Sequence, residues 1–364
     1  MKQRILLIST MYPSNKHPSF GIFIKNQVKR IEENGYEVEL LVIKNPKTGK
    51  ANLTWKYTTW LLKWLWLMVK SGRKYDVVHA HYVFPSGLLG LWTKRLFKIP
   101  LIVTAHGGDL EKMAKKNQRI HQYTQLILQE ADHIITVGKR LEKQVASEYQ
   151  VNPAKISLLN MGVNRSIFYP MSKNKLRETH QLPDDQPIIL FVGNIIRNKG
   201  VKELITAFEQ LDIKQAALYI IGAVKEPPFY QTLQNYIANH NIERVYFLPA
   251  SDQATVAKWM NMADVLVVPS YIEGFGLVAL EAMSCKTPVI GSNVGGLQYL
   301  LGDQAGIMVE PQNADALELA ITEVLTNQAL RQQMIANGEA KAESNDQEKL
   351  IQQLFTIYHG ASRS

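Results

Sequence analysis

The stretch Ser270–Gly291, SYIEGFGLVALEAMSCKTPVIG, decides the fold. It follows the apolar run Val265–Pro269, which predicts a buried parallel strand. A glycine-punctuated turn, Glu273–Gly276, then leads into Leu277–Met283, whose composition favours a helix. A second short apolar strand, Pro288–Ile290, comes next. This order of strand, glycine loop, helix and strand predicts a βαβ unit whose helix begins at the carboxyl edge of a parallel sheet.

The start of that helix is suited to bind a diphosphate. Unpaired N–H groups and the positive end of the helix dipole meet there, at Phe275, Gly276 and Leu277. Two carboxylates bracket the same place, Glu273 in the loop and Glu281 on the helix, with seven residues between them. Carboxylates at this spacing are common, so the pair carries meaning only together with the glycines, the aromatic residue and both strands.

The context E-G-F-G-L-x-x-L-E-A-M resembles the signature of retaining GT-B glycosyltransferases of glycosyltransferase family 4, also called group 1. The resemblance implies an α/β fold of two Rossmann-like domains that face one another across a cleft. It also implies that a sugar moves from a nucleotide diphosphate donor to an acceptor with retained anomeric configuration. By the same resemblance, Glu273 acts at the sugar and Glu281 accepts hydrogen bonds from the ribose hydroxyls.

Two segments of the first half resemble motifs of the same family. Gly21 matches a glycine that lies close to the donor diphosphate, although a glycine that serves only a tight turn explains this segment equally well. The sequence His106-Gly107-Gly108-Asp109 follows the predicted strand Leu101–Thr104 and resembles H-G-x-D. The match implies that His106 lies beside the reacting centre and that Asp109 belongs to the acceptor side.

A loop of the second half, Gly193–Gly200, resembles the family pattern G-R-x-x-x-x-K-G. Lys199 matches the family's lysine, but Asn194 stands where the family commonly has arginine. We expect Arg197 to supply the missing charge and to neutralise the donor diphosphate together with Lys199.

The length of 364 residues predicts two domains. We expect an acceptor-side domain over residues 1–170 and a nucleotide-sugar-binding domain over residues 171–345. A C-terminal helix at about 346–364 should pack back on the first domain. The polar segment Lys173–Gln186 is the expected linker.

Composition indicates a soluble cytoplasmic protein. The chain is 46% hydrophobic and 20% charged, and its single Cys285 excludes a disulfide framework and indicates a reducing compartment. The first apolar run is too short for a signal peptide, and no window is apolar for long enough to span a membrane.

Charge is distributed unevenly along the chain. Residues 1–172 carry 26 Lys and Arg against 11 Asp and Glu, a net charge of +15, whereas residues 173–364 carry −6. The segment Leu53–Lys70 contains four tryptophans and three lysines. Two interpretations stay open: a helix packed on the first sheet, or an interfacial helix that holds the protein peripherally on the inner face of an anionic membrane.

The expected partners are therefore a nucleotide sugar, a glycan or lipid-linked acceptor, and an anionic membrane surface. The sequence has no D-x-D pair, so we expect neither a metal site nor a cofactor. His79 and His81 have no partner at metal-site spacing and are interpreted as structural.

Other functions remain alternatives. A GT-B epimerase or an inverting transferase would share the fold. A nucleic-acid binder is suggested by the pI of 9.3, but no RNA-binding fingerprint or helix-turn-helix pattern supports it. A dehydrogenase is disfavoured because no G-x-G-x-x-G follows a strand.

Overall fold

The structure is a computed structural model that describes residues 3–17, 20–47 and 49–361. The chain forms two compact units, one of Met1–Met161 with Lys349–Ser364 and the other of Gly162–Glu348. Each unit contains one six-stranded sheet in which all neighbouring strands are parallel. The sequence predicted residue 170 as the end of the first domain, and the first stretch of the first unit ends at Met161.

The first unit alternates strands and helices. Its strands are β1 (Arg4–Ser9), β2 (Glu37–Val42), β3 (Val77–His81), β4 (Leu101–Ala105), β5 (His133–Thr136) and β6 (Ile156–Leu158). Its helices are α1 (Ile22–Glu33), α2 (Lys50–Ser71), α3 (Ser86–Phe97), α4 (Gln118–Glu130) and α5 (Lys139–Glu148), joined by the last helix of the chain, α14 (Gln347–Ala361). The strand order is β2-β1-β3-β4-β5-β6.

Both faces of this sheet are covered, which explains its continuous apolar strands. Every residue of β3 and β4 is buried. One face packs against side chains from α2, α3 and α4. The other face receives α14, where Leu354 and Tyr358 are fully buried in a cluster with Ile5 and Ile102. The final helix therefore completes the core of the first unit.

Helix α2 has a buried face and an exposed apolar face. The indole N–H of Trp60 donates to the Leu41 carbonyl at 3.1 Å, and that of Trp64 donates to the Thr93 hydroxyl at 2.9 Å. In contrast, Trp66 is 55% exposed and Val69 is 92% exposed. The interpretation of a helix packed on the first sheet is confirmed, and the exposed face leaves the second interpretation as a prediction. Within the described ranges, no helix is both long and apolar enough to cross a membrane.

The second unit has the strand order of a Rossmann fold. Its strands are β7 (Ile188–Val192), β8 (Ala217–Ile221), β9 (Val245–Leu248), β10 (Val265–Val268), β11 (Val289–Ser292) and β12 (Ile307–Val309). Its helices are α6 (Lys173–Thr179), α7 (Val201–Gln210), α8 (Pro227–Asn239), α9 (Gln253–Met262), α10 (Leu277–Ser284), α11 (Leu297–Leu301), α12 (Ala314–Thr326) and α13 (Gln328–Ser344). The strand order is β9-β8-β7-β10-β11-β12. Strands β7 and β10 lie side by side at the centre, and later strands are added outward from each of them.

The predicted linker is wrong, because Lys173–Gln186 is integrated in the second unit. Its first residues form α6, and Arg177 is only 1% exposed. The Arg177 guanidinium donates to Asp264 at 2.8 Å and to the Met262 carbonyl at 2.8 Å. A buried arginine whose donors are satisfied ties this segment to the core, although its composition is that of a loop.

Candidate functional site

The second sheet reverses its strand order between β7 and β10, which pair directly. In an open parallel sheet the loops leaving such a pair diverge at the carboxyl edge and leave room for a ligand. The loop after β7 carries Arg197 and Lys199, and the loop after β10 carries Glu273. The structure thus brings the predicted donor-binding residues of this unit to one edge of one sheet.

An ion pair links these two loops. The Nζ atom of Lys199 lies 2.6 Å from Oε2 of Glu273, and the two side chains are 27% and 15% exposed. The hydroxyl of Ser270 donates to the same oxygen at 3.3 Å, and the N–H of Gly274 donates to Oε1 at 3.2 Å. The Arg197 guanidinium lies over the Phe229 ring, 5.1 Å from its centroid. Lys199 is therefore compensated by Glu273, whereas Arg197 stacks on an aromatic ring.

Backbone contacts fix the loops around this pair. A Cβ atom on Gly200, which has φ of +68°, would lie 2.0 Å from the Pro269 carbonyl oxygen. A Cβ atom on Gly295, at φ +51°, would lie 1.8 Å from the Glu273 carbonyl oxygen. Both positions require glycine, because a side chain would overlap backbone that cannot move independently. Three loops at the carboxyl edge are consequently packed backbone to backbone.

The loop that follows β10 ends at the start of α10. Gly276 has φ of +91° and directly precedes Leu277, the first helical residue. Phe275 is buried in the core of the unit. The first N–H groups of a helix have no intrahelical acceptor, so this end can donate to an anion.

Glu281 lies in the second turn of α10, in a partly exposed position. Enclosure by protein atoms raises the pKa of Glu281 from 4.5 to about 8, because burial disfavours the ionised form. At neutral pH the carboxyl group is therefore mostly protonated, and a set of hydroxyl donors would favour its ionisation.

In the first unit, the carboxyl ends of β3 and β4 bring two histidines together. Nδ1 of His81, the last residue of β3, lies 3.0 Å from Nε2 of His106, which follows β4. The Asp109 carboxylate accepts from the backbone N–H of His106 at 3.1 Å and from that of Val83 at 2.9 Å. Asp109 is only 3% exposed, so its carboxylate holds the two loops together.

The loop after β1 reaches the same histidine. Gly21, at φ +74°, immediately precedes α1. The Phe23 ring, near the start of that helix, lies 5.2 Å from the ring of His106. Tyr82, the residue after His81, places its ring 4.6 Å from that of His106 in a tilted arrangement. His106 is therefore flanked by the rings of Phe23 and Tyr82 at the carboxyl edge of the first sheet.

Burial keeps these imidazoles neutral. It lowers the pKa of His106 to about 3 and, with a contribution from His106, the pKa of His79 to about 3. The pKa of His81 is also lowered, first by burial and then by the neighbouring histidines. Among the residues that the structure describes, no group of three or more His, Cys, Asp or Glu side chains is arranged to hold a metal ion.

Each unit therefore gathers its own set of predicted site residues. The second unit brings together Arg197, Lys199, Glu273, Phe275, Gly276, Leu277 and Glu281, and the first brings together Gly21, His106 and Asp109.

His81 is the residue that sequence reasoning missed. We interpreted it as structural, yet it hydrogen-bonds to His106. The signal available in the sequence was its place at the end of a short apolar run, whereas the pairing of that strand with β4 is seen only in the sheet.

The two-unit fold with its two edge sites defines a class, the GT-B glycosyltransferases. Sucrose-phosphate synthase from Thermosynechococcus elongatus matches with a TM-score of 0.82 and 25% identity over 99% of both chains. HepE of Anabaena, solved with UDP and glucose, matches with a TM-score of 0.79 and 17% identity over 99% of this chain and 100% of that one.

Sequence comparison identifies the family. The model of glycosyl transferases group 1 matches residues 172–341, and that of Glycosyltransferase Family 4 matches residues 21–166. The D-inositol 3-phosphate glycosyltransferase of Streptosporangium roseum is 30% identical over 81% of this chain and 71% of its own length. The chain belongs to glycosyltransferase family 4, group 1, and is a glycosyltransferase.

The raised pKa of Glu281 predicts a pH-dependent stability. An acid with a higher pKa in the folded than in the unfolded state binds more protons when folded, so the free energy of unfolding falls as pH rises from about 4.5 to about 8. The slope from one group is at most about 1.4 kcal/mol per pH unit. Glu281→Gln should remove this component in urea unfolding at pH 5, 6.5 and 8. Glu243→Gln, at an exposed position, is the control, and parallel profiles for wild type and Glu281→Gln would contradict the prediction.

Proposed function

We propose that this glycosyltransferase is a retaining enzyme that transfers a sugar from a nucleotide diphosphate sugar to a glycan or lipid-linked acceptor, a precursor of a cell-surface glycan. The observation that carries the proposal is the Lys199–Glu273 pair at the reversal of strand order, beside the start of α10. HepE has the same fold and was solved with UDP and glucose, so the fold accommodates this class of ligand.

The existing ion pair holds the Lys199 ammonium in position, and donor binding would use this ammonium to bind the diphosphate. A diphosphate has more negative charge than one carboxylate, so it can take over Lys199 while Ser270 and the Gly274 N–H keep Glu273 in place. The N–H groups at the start of α10 would donate to the same diphosphate. Glu281, one turn further on, would accept hydrogen bonds from the ribose.

Catalysis would rest on stabilising the leaving diphosphate as the glycosidic bond breaks. Glu273, released from Lys199, would act at the sugar, where positive charge develops in an oxocarbenium-like state. His106 would contact the transferred sugar as a neutral group, which agrees with the low pKa of its imidazole. We assign no protein nucleophile.

The two glutamates should differ in their kinetic effects. Ribose hydroxyls do not change as the bond breaks, so Glu281→Ala should raise the donor KM about tenfold and leave kcat nearly unchanged. Glu273→Ala should lower kcat and should not weaken binding of the free nucleotide diphosphate, because it also releases Lys199 from its partner. Steady-state kinetics and calorimetric titration of the nucleotide measure both effects.

Glu243→Ala serves as the control, because its side chain is 80% exposed. Wild-type nucleotide affinity in Glu281→Ala would exclude the ribose role. The anomeric configuration of the product, determined by NMR, tests retention separately, and inversion would favour the inverting alternative.

Catalysis should be independent of divalent metal. The sequence contains no D-x-D pair, and Lys199, Arg197 and the helix start supply positive charge for the diphosphate. Initial rates should be equal with EDTA and with added magnesium or manganese. A rate that EDTA abolishes and either ion restores would contradict this assignment.

We also propose that the protein binds peripherally to an anionic membrane on the cytoplasmic side, through α2. The helix exposes Trp66, Val69, Leu62 and Leu65, which are 55%, 92%, 58% and 47% exposed. Lys70 lies on the same side, with its ammonium 4.5 Å from the centroid of the Trp66 ring. An apolar stripe beside lysines, in a half of the chain with net charge +15, suits an interface with anionic lipid.

Vesicle flotation tests this membrane proposal. Recovery should be high on phosphatidylglycerol-containing vesicles, low on phosphatidylcholine alone, and reduced by salt, since each basic residue contributes about 1 kcal/mol near such a surface. The double variant Trp66→Ser/Val69→Ser should lose most of this binding. Leu319→Ser, which removes an exposed leucine from the second unit, should not. Equal recovery on both vesicle types would argue for a soluble or polymeric acceptor.

A further inference from the structure

A pocket in the first unit, lined by other residues than the His106 cluster, has the composition of an anion site. It has a volume of about 590 Å³ and is lined by five lysines, Lys16, Lys44, Lys47, Lys56 and Lys63, together with His17, Trp55 and other polar and apolar side chains. Among the residues that the structure describes, no aspartate or glutamate lines it. The family motifs that define the donor and sugar sites include none of these lysines.

The positive charge of this pocket is uncompensated. Within residues 3–17, 20–47 and 49–361, none of the five ammonium groups forms an ion pair with a carboxylate. Two of them are held by backbone carbonyls: Lys56 donates to Lys47 at 3.2 Å and Lys63 donates to Leu40 at 3.0 Å. Burial lowers the pKa of Lys56, because partial desolvation disfavours the charged ammonium. An anion would relieve both the desolvation and the mutual repulsion.

The pocket lies on the same edge of the sheet as His106. Its walls come from α2 and from the loops after β1 and β2, at the carboxyl ends of these parallel strands. Strands β1 and β2 are two and three positions away from β4, which His106 follows. At about 4.8 Å per strand, the separation along the edge is roughly 10–15 Å. One molecule of modest size can span that distance.

We propose that this pocket binds a phosphate or diphosphate group of the acceptor, while the acceptor hydroxyl lies near His106. The volume is within the range of small-molecule sites, about 300–1,000 Å³. Five lysines suit an anion with more than one charge, and Trp55, which is 73% exposed, offers an apolar wall. The acceptor role rests on the proposed transferase function, whereas anion binding by the pocket does not.

Indole N–H signals report on this pocket directly. The chain has six tryptophans; Trp55 and Trp60 line the pocket and Trp259 lies in the second unit. In ¹H–¹⁵N spectra of the full chain, inorganic pyrophosphate should shift the signals of Trp55 and Trp60 and leave Trp259 unchanged. Lys44→Gln/Lys47→Gln should weaken this response about tenfold or more, since charged hydrogen bonds are lost. Lys98→Gln/Lys143→Gln carries the same change of net charge at exposed positions outside the pocket and should titrate as wild type does.

The same variants separate the source of the phosphate. If Lys44→Gln/Lys47→Gln loses the pyrophosphate response and keeps flotation on anionic vesicles, the pocket binds the phosphate of a soluble molecule or of the acceptor. If this variant loses both the pyrophosphate response and flotation, the pocket binds the phosphate of a lipid headgroup. An absent response of Trp55 and Trp60, or a wild-type titration in this variant, overturns the proposal. Failure of the donor assignments would appear instead in the nucleotide titrations of the glutamate variants.

A second inference concerns the proton between His81 and His106. His81 is fully buried, its Nδ1 contacts Nε2 of His106 at 3.0 Å, and its Nε2 has no hydrogen-bond partner in the part of the chain that the structure describes. Two neutral imidazoles share one proton in such a bond. A buried N–H without an acceptor is rarer and more costly than a buried acceptor without a donor.

We infer that His81 is a positioning residue, which carries its proton on Nδ1, donates it to Nε2 of His106, and so holds His106 as the Nδ1–H tautomer. His79 supports this arrangement: its ring lies 4.4 Å from that of His81, and its nitrogens lie 2.7 Å from the Tyr358 hydroxyl and 2.8 Å from that of Thr104. The consequence is that His106 offers an N–H donor, and not a lone pair, to a ligand. Only the catalytic meaning of that donor rests on the proposed function.

Long-range ¹H–¹⁵N spectra of histidine-labelled protein distinguish the two tautomers of His106. We expect Nδ1–H in the wild type and in His81→Asn, whose amide N–H replaces the Nδ1 donor. His81→Phe should give averaged ¹⁵N shifts for His106 and a kcat reduced about tenfold or more, which His81→Asn restores. An Nε2–H tautomer in the wild type, or unchanged His106 shifts in His81→Phe, overturns the inference. A tautomer change without any kinetic effect would support the positioning role and count against His106 as a group at the reacting centre.

Discussion

Close packing of backbone against backbone at the carboxyl edge of the second sheet is the constraint on which the proposed donor site depends. The loop containing Gly200 touches the Pro269 carbonyl, and the loop containing Gly295 touches the Glu273 carbonyl, at distances that leave no room for a Cβ atom. The N–H of Gly296 also donates to the Gly274 carbonyl at 3.0 Å. Glu273 is therefore positioned by main chain on both sides, and its ion pair with Lys199 is a consequence of that packing.

Desolvation shifts pKa values in opposite directions at the carboxyl edges of the two sheets, and in both cases it favours the neutral form of the side chain. It raises the pKa of Glu281 and lowers the pKa of His106, so both groups are mostly neutral at pH 7 in the free protein. Fixed charge at the second edge is then concentrated in Lys199, Glu273 and Arg197. A ligand with its own charge and hydroxyl donors would change the protonation state of Glu281 most, because this enclosed carboxyl group needs new hydrogen-bond donors to ionise.

Features that leave a local pattern in the sequence could be predicted, whereas features that depend on contacts between distant residues could not. The strands on either side of Glu273 were predicted to within two residues at each end, because buried parallel strands are continuous apolar runs. The segment Lys173–Gln186 was misjudged as a linker, since no local pattern reveals that Asp264, 87 residues away, compensates a buried Arg177. The partner of His106 was missed for a similar reason: pairing of β3 with β4 is a property of the sheet. The roles of the site residues came from resemblance and remain predictions.

Part of the excess positive charge of the first half is gathered at the pocket beside α2. Some cations elsewhere in the first unit have carboxylate partners: Lys94 lies 2.6 Å from Asp132, and Arg4 lies 3.3 Å from Glu39. The described pocket lysines form no ion pair with a carboxylate: Lys56 and Lys63 donate to backbone carbonyls, and the Lys44 ammonium lies 5.9 Å from the centroid of the Tyr12 ring. Because paired charges cancel at a distance while unpaired ones add, these lysines make the carboxyl edge beside α2 electropositive. If the acceptor carries a phosphate, as proposed, it would be attracted to the edge of the sheet at which His106 lies, and the charge asymmetry of the chain would favour its arrival there.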